Sequence, residues 1–430
     1  MKKIIVIGGG LAGLSSAVYL SEAGFKVKLL EASPKLGGRA YSFDFNQKGI
    51  VDNGQHLLMG SCKYAIDYLK KIDTLDKFLP QEKLSMTIRE RGGIEHRLEA
   101  AGNLYPLNLV NAIINYGALN SKSKLKLLFF FLKLKFVNPA HLETMNAKEW
   151  LAKIDDANES FYSFWDLIIN ATMNSRTETA SASTLAVLLK EIFLKGSYAS
   201  SLLVPESDLS EIFCHKAMEM ILKNGGEINL SERVLQFNFQ NHRLFEINTT
   251  DNTYSDFDYV VTTVPNYSLK KIYNKSLPPY LDWEFNYAPI VTTHIWLRNN
   301  PFKEKFYGLI NSNMHWLFNH GNYVTTVTSC ADDMVDLSKD DIKNNAVGEL
   351  EKYFPEFSLS LVTDVKVIKE KRATFIPDAE TEKRRKEIPG NTDNLYYAGD
   401  WTNTGLPGTI EGAIKSGRIA AENIIEKNRK

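Results

Sequence analysis

Apolar residues near the start of the chain are spaced as in a strand, a helix and a second strand. Lys3–Ile7 is a short apolar run, which is typical of a parallel strand buried on both faces. Apolar positions recur at helical spacing in residues 11–23, and residues 25–30 form another short apolar run. This order predicts a βαβ unit, and therefore an α/β fold, at the beginning of the chain.

The remaining pattern predicts buried strands, antiparallel pairs and a helical region. Apolar runs at 259–265 and 395–398 predict two further buried strands. Alternating residues at 227–239 and 244–248 predict antiparallel strands joined by a polar turn at Asn241 and His242. Residues 69–204 have mainly helical patterns, whereas residues 266–393 are richer in strands, which are predicted at 290–297, 323–329 and 362–370.

Three glycines follow the first strand at a spacing that suits a dinucleotide. Gly8 permits a tight turn, Gly10 lets the backbone approach a pyrophosphate, and Gly13 lets the helix pack closely on the strand. The amides at the helix start, at Leu11 and Ala12, point at the phosphates and lie at the positive end of the helix dipole. The predicted strand, turn and helix in register therefore indicate a dinucleotide-binding site.

An acidic residue and a second glycine-rich turn favour a flavin over a nicotinamide. Glu31 ends the second strand, where its carboxylate can accept hydrogen bonds from ribose hydroxyls and repel a 2′-phosphate. Gly38 and Arg39 follow directly, and they suit a second approach to the pyrophosphate, with the guanidinium available for a phosphate. The alternative is that Arg39 is a solvated surface cation.

The end of the chain carries a matching segment. Gly399 and Asp400 follow the strand at 395–398, where an aspartate faces the ligand crevice and can accept from ribityl hydroxyls. A helix starting near Thr409 presents its positive end to the flavin ring. The alternative interpretation makes Asp400 a helix cap.

Six segments carry a family resemblance: EASPKLGGRA, DNGQHLLMG, APIVTTHIWL, HWLFN, KRATFIPDAE and GDWTNTGLPGTIEGA. On these, the chain resembles the flavin-dependent amine oxidase and phytoene desaturase superfamily, and within it the squalene-associated desaturase-like proteins. The resemblance implies a Rossmann-type domain that binds FAD, formed by residues 1–68, 205–265 and 394–430, with the backbone of Val234 beside the adenine. It implies a substrate domain of mixed helices and an antiparallel sheet, formed by residues 69–204 and 266–393.

The resemblance also implies an activity on an apolar isoprenoid, namely reductive dehydroxylation of hydroxysqualene to squalene, with an electron donor that is not identified. The leaving oxygen needs a proton, and His56 is the candidate donor, with Gln55 as a residue that orients the ring or the hydroxyl. The alternative is a structural histidine bonded to backbone. The aromatic residues expected to suit an apolar substrate tunnel are Phe161, Tyr162, Phe164, Trp165, Phe302, Trp316 and Phe318.

Three other functions share this cofactor chemistry. Carotenoid-type desaturation would move hydride in the opposite direction, from substrate to flavin. Amine oxidation usually needs an aromatic cage near the flavin, for which Trp401 is a candidate. A flavin-bearing carrier without catalysis is the non-enzymatic alternative.

Composition removes some classes of partner. The chain has 51 basic and 51 acidic residues and no basic stripe, which disfavours nucleic-acid binding. Cys62, Cys214 and Cys330 have no metal-ligand spacing, so we predict no metal site and reduced thiols in the cytoplasm.

One segment suggests contact with a membrane. Residues 121–137 contain ten apolar residues, five flanking lysines and no acid. Phe129, Phe130, Phe131 and Leu132 could enter acyl chains while the lysine stems reach the headgroups. We therefore expect a cytoplasmic protein with possible peripheral attachment to the inner face of the membrane. The alternative is a buried helix with lysines at its ends.

Overall fold

The computed structural model of the chain describes residues 1–153, 161–273 and 277–429, with only the backbone at residues 161 and 162. Its two largest sheets have six and seven strands. The strands outside these two sheets are Ser42–Asp44, Ile50–Asp52, Leu58–Met59, Phe78–Pro80, Leu202–Pro205, Val234–Gln240, Arg243–Thr249 and Thr253–Tyr254. The α-helices are Leu11–Glu22, Lys63–Lys71, Leu107–Asn115, Ser121–Leu134, Ala147–Ala152, Asp166–Met173, Ala182–Phe193, Ser197–Ser200, Lys216–Lys223, Asn266–Tyr273, Lys339–Tyr353, Ala379–Glu387 and Ile410–Arg429.

The six-stranded sheet combines strands from the beginning, the middle and the end of the chain. Its order is Glu227–Asn229, Lys26–Leu30, Lys3–Ile7, Tyr259–Thr262, Leu395–Tyr397 and Asn391–Thr392. All neighbours are parallel except the last pair. The α/β fold predicted from the sequence is therefore confirmed.

The first and last long helices pack against each other beside this sheet. A Cβ on Gly417 would lie 2.1 Å from the carbonyl oxygen of Ala12, so only glycine permits this approach. The hydroxyls of Ser15 and Ser16 donate to the carbonyls of Ile414 and Gly417, both at 3.0 Å. The two ends of the chain thus form one rigid layer behind the glycine-rich turns.

One predicted strand is two strands in the structure. Glu227–Asn229 joins the parallel sheet beside Lys26–Leu30, whereas Val234–Gln240 pairs antiparallel with Arg243–Thr249. The prediction of one strand over 227–239 was wrong because the chain changes sheet at residues 230–233. The predicted turn lies between the antiparallel strands, where Asn241 and His242 both have positive φ.

The second large sheet has seven strands. Its order is Val362–Phe375, Tyr287–Leu297, Tyr323–Thr328, Trp316–Asn319, Phe306–Leu309, Ser85–Arg89 and Glu95–Glu99. All neighbours are antiparallel except Phe306–Leu309 with Ser85–Arg89. The last two strands lie in a region that the sequence predicted to be mainly helical.

The predicted boundary between residues 68 and 69 falls inside the helix Lys63–Lys71. Tyr68 and Leu69 are both fully buried in the core beside the six-stranded sheet. Phe78–Pro80 also stays near this core, through pairing with Leu202–Pro205. We therefore propose a boundary just after residue 80 in place of residue 68.

The helix Ser121–Leu134 has two apolar faces. Leu127, Phe130 and Leu134 point into the core, and the Phe130 ring lies 4.8 Å from that of Trp165. The prediction that Phe130 enters acyl chains is therefore wrong. The outward positions are Leu125, Phe129 and Leu132, and Phe136 lies just after the helix; each of the four is more than half exposed. None of the described helices combines the length and hydropathy that crossing a bilayer requires.

Candidate flavin and substrate site

A single cavity of about 1370 Å³ collects most of the predicted site residues. It exceeds the roughly 300–1,000 Å³ of a typical small-molecule pocket, so it has room for a dinucleotide and a long substrate. The predicted residues that line it are Gly8, Gly10, Leu11, Ala12, Glu31, Gly38, Arg39, Gln55, His56, Val234, Gly399, Asp400 and Thr409. Gly13 lies behind the wall, where a Cβ would be only 1.9 Å from the oxygen of Gly8.

The two glycine-rich turns touch at one end of this cavity. Gly10 and Gly37 form an isolated parallel bridge, and a Cβ on Gly38 would lie 3.0 Å from the Cα of Gly10. Gly10 is also the N-cap of the first helix, and it has no side chain to accept from the helix's first amides. Those amides remain available to an anionic group. This backbone cradle fits a pyrophosphate.

Glu31 is held in place by the backbone around it. Its two carboxylate oxygens accept hydrogen bonds from the amides of Gly9, at 2.5 Å, and Ser33, at 2.6 Å. Each oxygen can accept one more hydrogen bond, and Glu31 lines the cavity. This geometry suits acceptance of ribose hydroxyls, as FAD requires.

Arg39 and Asp400 meet across the cavity. The Arg39 guanidinium lies 2.7 Å from the Asp400 carboxylate and also donates to the carbonyl of Ala373, at 2.8 Å. Thr409, and not Asp400, caps the last helix, because its hydroxyl accepts from the amide of Gly412 at 3.2 Å. The structure therefore does not favour the interpretation of Asp400 as a helix cap. The Arg39 side chain is 40% exposed, but it is paired with the buried Asp400 and is not a free solvated cation.

Sequence reasoning missed Arg385, which holds the loop that follows Asp400. Its side chain is only 1% exposed and lies over the Phe375 ring, 4.6 Å from the centroid. The guanidinium donates to the carbonyls of Asp400, Trp401, Thr402 and Leu406 and to the hydroxyl of Thr404. Nothing in the charged stretch around it distinguishes this arginine from a solvated one.

His56 and Gln55 face the cavity from a segment tied to the seven-stranded sheet. The His294 ring donates through Nε2 to the carbonyl of Asp52 at 2.9 Å, and its Nδ1 accepts from Thr325 at 2.8 Å. Within the described chain, the side chains of His56 and Gln55 form no hydrogen bond, so His56 is not bonded to backbone. Burial lowers the pKa of His56 to about 4, so its ring is neutral at pH 7.

Beyond this segment the cavity becomes an apolar chamber. Its walls are Leu84, Met86, Ile88, Leu98, Phe164, Leu167, Leu188, Trp316, Phe318 and Val327. Of the aromatic residues predicted for a tunnel, Phe164, Trp316 and Phe318 line it, whereas Trp165 and Phe302 are packed in the cores. The side chains of Phe161 and Tyr162 lie outside the described residues.

Two other candidates are not part of the cavity wall. Trp401 is buried, and its indole N–H donates to the carbonyl of Val264 at 3.1 Å, so it does not form an aromatic cage here. Among the described residues, no group of three His, Cys, Asp or Glu side chains could hold a metal ion.

Comparisons with known proteins agree with this geometry. The model of the family "flavin containing amine oxidoreductase" matches residues 11–425. Hydroxysqualene dehydroxylase of Zymomonas mobilis is 26% identical over 424 residues, covering 97% of each chain. The 15-cis-phytoene desaturase of Arabidopsis thaliana is 24% identical, covering 99% of this chain and 80% of that one.

A solved structure supports the fold. An oxidoreductase from Methanosarcina mazei superposes with a TM-score of 0.74 at 15% identity, covering 99% of this chain and all of that one. The family match extends over most of the chain, and the glycine cradle and Glu31 fit FAD. The chain therefore belongs to the flavin-containing amine oxidoreductase family and is an FAD-dependent oxidoreductase.

Proposed function

We propose that the protein reduces hydroxysqualene to squalene. The observation that carries this proposal is the continuity of the apolar chamber with the dinucleotide cradle in one cavity. A long hydrocarbon loses contact with water in such a chamber, at a gain of roughly 25 cal/mol per Å² of apolar surface. The full-length similarity to a hydroxysqualene dehydroxylase supports the particular substrate.

The reaction removes an allylic hydroxyl group. FAD, held by the glycine cradle and Glu31, would supply in its reduced form the hydride that replaces the allylic hydroxyl, whose oxygen would leave with a proton as water. Hydroxide is a poor leaving group, so a positioned proton donor lowers the barrier. His56 faces the cavity with no hydrogen bond inside the described chain, and we assign it this role, with Gln55 orienting the hydroxyl.

Single-turnover chemistry tests the proposal. The holoenzyme is reduced anaerobically with dithionite, hydroxysqualene is added, and flavin absorbance is followed while the lipid is extracted. One squalene formed for each flavin reoxidised is the expected result. Flavin that stays reduced, with hydroxysqualene recovered unchanged, would show that the proposal is wrong.

Phytoene-type desaturation is the second candidate, because the same apolar chamber suits a carotenoid precursor and a phytoene desaturase also aligns over the chain. The two functions differ in the direction of hydride transfer. Addition of phytoene to the oxidised enzyme would bleach the flavin and form a new double bond only if the second candidate is correct.

We also propose that the outward apolar face of the helix Ser121–Leu134 rests on an anionic membrane. Leu125, Phe129 and Leu132, with Phe136 just after the helix, form an exposed apolar stripe. A contiguous exposed apolar patch is typical of an interaction site. The lysines of the same segment suit anionic headgroups.

The chamber lies close to this face. The ring of Phe131 is 5.0 Å from that of Phe193, which lines the cavity. The neighbouring helix Leu107–Asn115 adds exposed Leu107 and Ile114, and Lys124 donates to the Ile114 carbonyl at 2.8 Å. An isoprenoid dissolved in the bilayer would then enter the chamber without crossing water.

A further inference from the structure

The apolar chamber has a polar corner. Asn170, on the helix Asp166–Met173, and Ser329, just after the strand Tyr323–Thr328, both line the cavity there. Ser329 is only 6% exposed, yet its hydroxyl has no hydrogen-bond partner within the described chain. The Asn170 amide nitrogen also lacks one, and its oxygen accepts only a weak bond from the Cys330 thiol, at 3.6 Å. Ser329 is buried and Asn170 is half-buried. Because buried polar groups are nearly always hydrogen-bonded, the unpaired Ser329 hydroxyl beside the Asn170 amide points to a ligand or to water.

A second cavity begins behind the same two residues. It has a volume of about 810 Å³, and its wall includes both Asn170 and Ser329. In contrast to the chamber, its wall is rich in polar side chains, among them Asp166, Thr177, Ser312, His315, Thr328 and Glu349. The pair therefore stands between an apolar space and a polar one.

The corner is held in place by a second asparagine, Asn174. Asn174 adopts a left-handed conformation and donates to the carbonyl of Ala288, at 3.2 Å, and to the hydroxyl of Thr374, at 2.9 Å. Its oxygen accepts from the Cys330 amide at 2.9 Å. The amide of Ser329 donates to His315 Nδ1 at 3.0 Å. The two unpaired groups are thus held on a rigid frame, as recognition of a small polar group requires.

We propose that Asn170 and Ser329 bind the hydroxyl oxygen of the substrate, and that the polar cavity behind them receives the water released. This inference rests on the proposed function, and it assigns a specificity site to it. A hydroxyl buried among apolar walls costs free energy unless it is hydrogen-bonded. Squalene has no hydroxyl, so the product leaves the pair unsatisfied and binds more weakly than the substrate.

Binding to the oxidised holoenzyme tests this pair without turnover, because oxidised flavin has no hydride to give. Hydroxysqualene and squalene are titrated separately, and the Kd is read from the change in flavin absorbance. Wild type is expected to bind hydroxysqualene more tightly than squalene. Asn170→Leu, which keeps the size of the side chain, and Ser329→Ala are each expected to weaken hydroxysqualene binding about three- to tenfold. The Kd of squalene is expected to stay the same.

Thr172→Val is the matched control, because Thr172 lies on the same helix as Asn170 and also lines the cavity, but its hydroxyl already donates to the carbonyl of Ile168 at 2.8 Å. No change in either Kd is expected for this variant. Loss of hydroxysqualene affinity in Thr172→Val alone, or equal loss for both ligands in the pair variants, would overturn the inference. So would a wild type that does not prefer hydroxysqualene.

The anaerobic single-turnover assay on wild type separates the two levels of failure. A wild type that forms squalene, with pair variants that keep the wild-type ratio of Kd values, defeats this inference and leaves the proposed function standing. A wild type that prefers hydroxysqualene, with a ratio lost in the pair variants but no squalene formed, supports the hydroxyl site and defeats the proposed reaction.

Discussion

The guanidinium of Arg39 lies 2.7 Å from the carboxylate of Asp400. This ion pair joins a segment near the start of the chain to one near its end. Asp400 is 4% exposed, and a buried carboxylate is stable only with a partner. The pair thereby sets the width of the cavity at the flavin end before any ligand is bound.

Replacement of this arginine is expected to weaken cofactor binding. Arg39→Ala leaves Asp400 without its cation, so we expect the Kd for FAD to rise at least about tenfold. Titration of apoprotein with FAD measures it. Arg372→Ala is the control, since Arg372 is an exposed cation that lies over the Tyr267 ring. Equal FAD affinity in both variants would contradict the prediction.

Arg385 and Arg384 give a test with adjacent residues. Arg385→Gln removes the donor shared by the loop carbonyls, and we expect a loss of at least about 3 kcal/mol in the free energy of unfolding, together with a lower FAD content. Arg384 forms only exposed ion pairs with Glu380 and Glu387 among the described residues, so Arg384→Gln should change little. Thermal unfolding and the flavin-to-protein ratio report both effects, and similar values for the two variants would refute the assigned role.

Two helical glycines should respond in opposite directions to alanine. Gly417→Ala forces the last helix away from Ala12, at a cost of about 1–3 kcal/mol. A Cβ on Gly348, in the helix Lys339–Tyr353, would meet no neighbour within 4 Å among the described residues, so Gly348→Ala should stabilise by about 0.5–1 kcal/mol. Denaturant unfolding measures both changes. Stabilisation by Gly417→Ala as well would show that helix propensity, and not close packing, dominates at residue 417.

The low pKa of His56 predicts a pH dependence. A donor with a pKa of about 4 is protonated in a fraction that falls tenfold for each pH unit above that value, so the single-turnover rate should fall as pH rises from 5 to 8. His56→Gln keeps a hydrogen-bond donor but cannot titrate, so its rate should be slower and nearly independent of pH. Retention of turnover within a few-fold of wild type in His56→Ala would exclude His56 as the acid.

Membrane attachment should depend on the exposed face of one helix. Phe129→Ser with Leu132→Ser removes apolar side chains that are more than half exposed, so we expect flotation with anionic liposomes to fall at least about tenfold without a loss of stability. Leu359→Ser is the control, because this leucine is 56% exposed outside the helix. If the wild-type protein does not float with the liposomes at low salt, the proposed membrane attachment is wrong.

The sequence predicted correctly the elements that depend mainly on neighbouring residues. Lys3–Ile7 is a strand with the predicted bounds, because a short apolar run before a glycine turn has few other solutions. Ser85–Arg89 was missed although it pairs with nearby Glu95–Glu99, because this hairpin is attached to the rest of its sheet only through Phe306–Leu309, which lies far away in sequence. The change of sheet after Asn229 depends on distant pairing in the same way.

The same distinction holds for the cavity. Glycine spacing and one acid at a strand end indicated the cradle, because their backbone geometry is local. The roles of Arg385 and Ser329 could not be predicted from the sequence, because the groups around them are brought together only by the tertiary structure. The directions of the buried side chains on the helix Ser121–Leu134 likewise depended on Trp165, in another helix.

The close packing of Gly417 against Ala12 has a consequence for biosynthesis. The ribosome delivers the glycine turns early and the helix Ile410–Arg429 much later, while the strand Leu395–Tyr397 completes the sheet only shortly before that helix. In a nascent chain, the part of the cofactor cavity that the first residues form therefore stays open to water until this helix has emerged. FAD is expected to enter only then, and chains truncated before residue 410 should reach the cell's proteases without it.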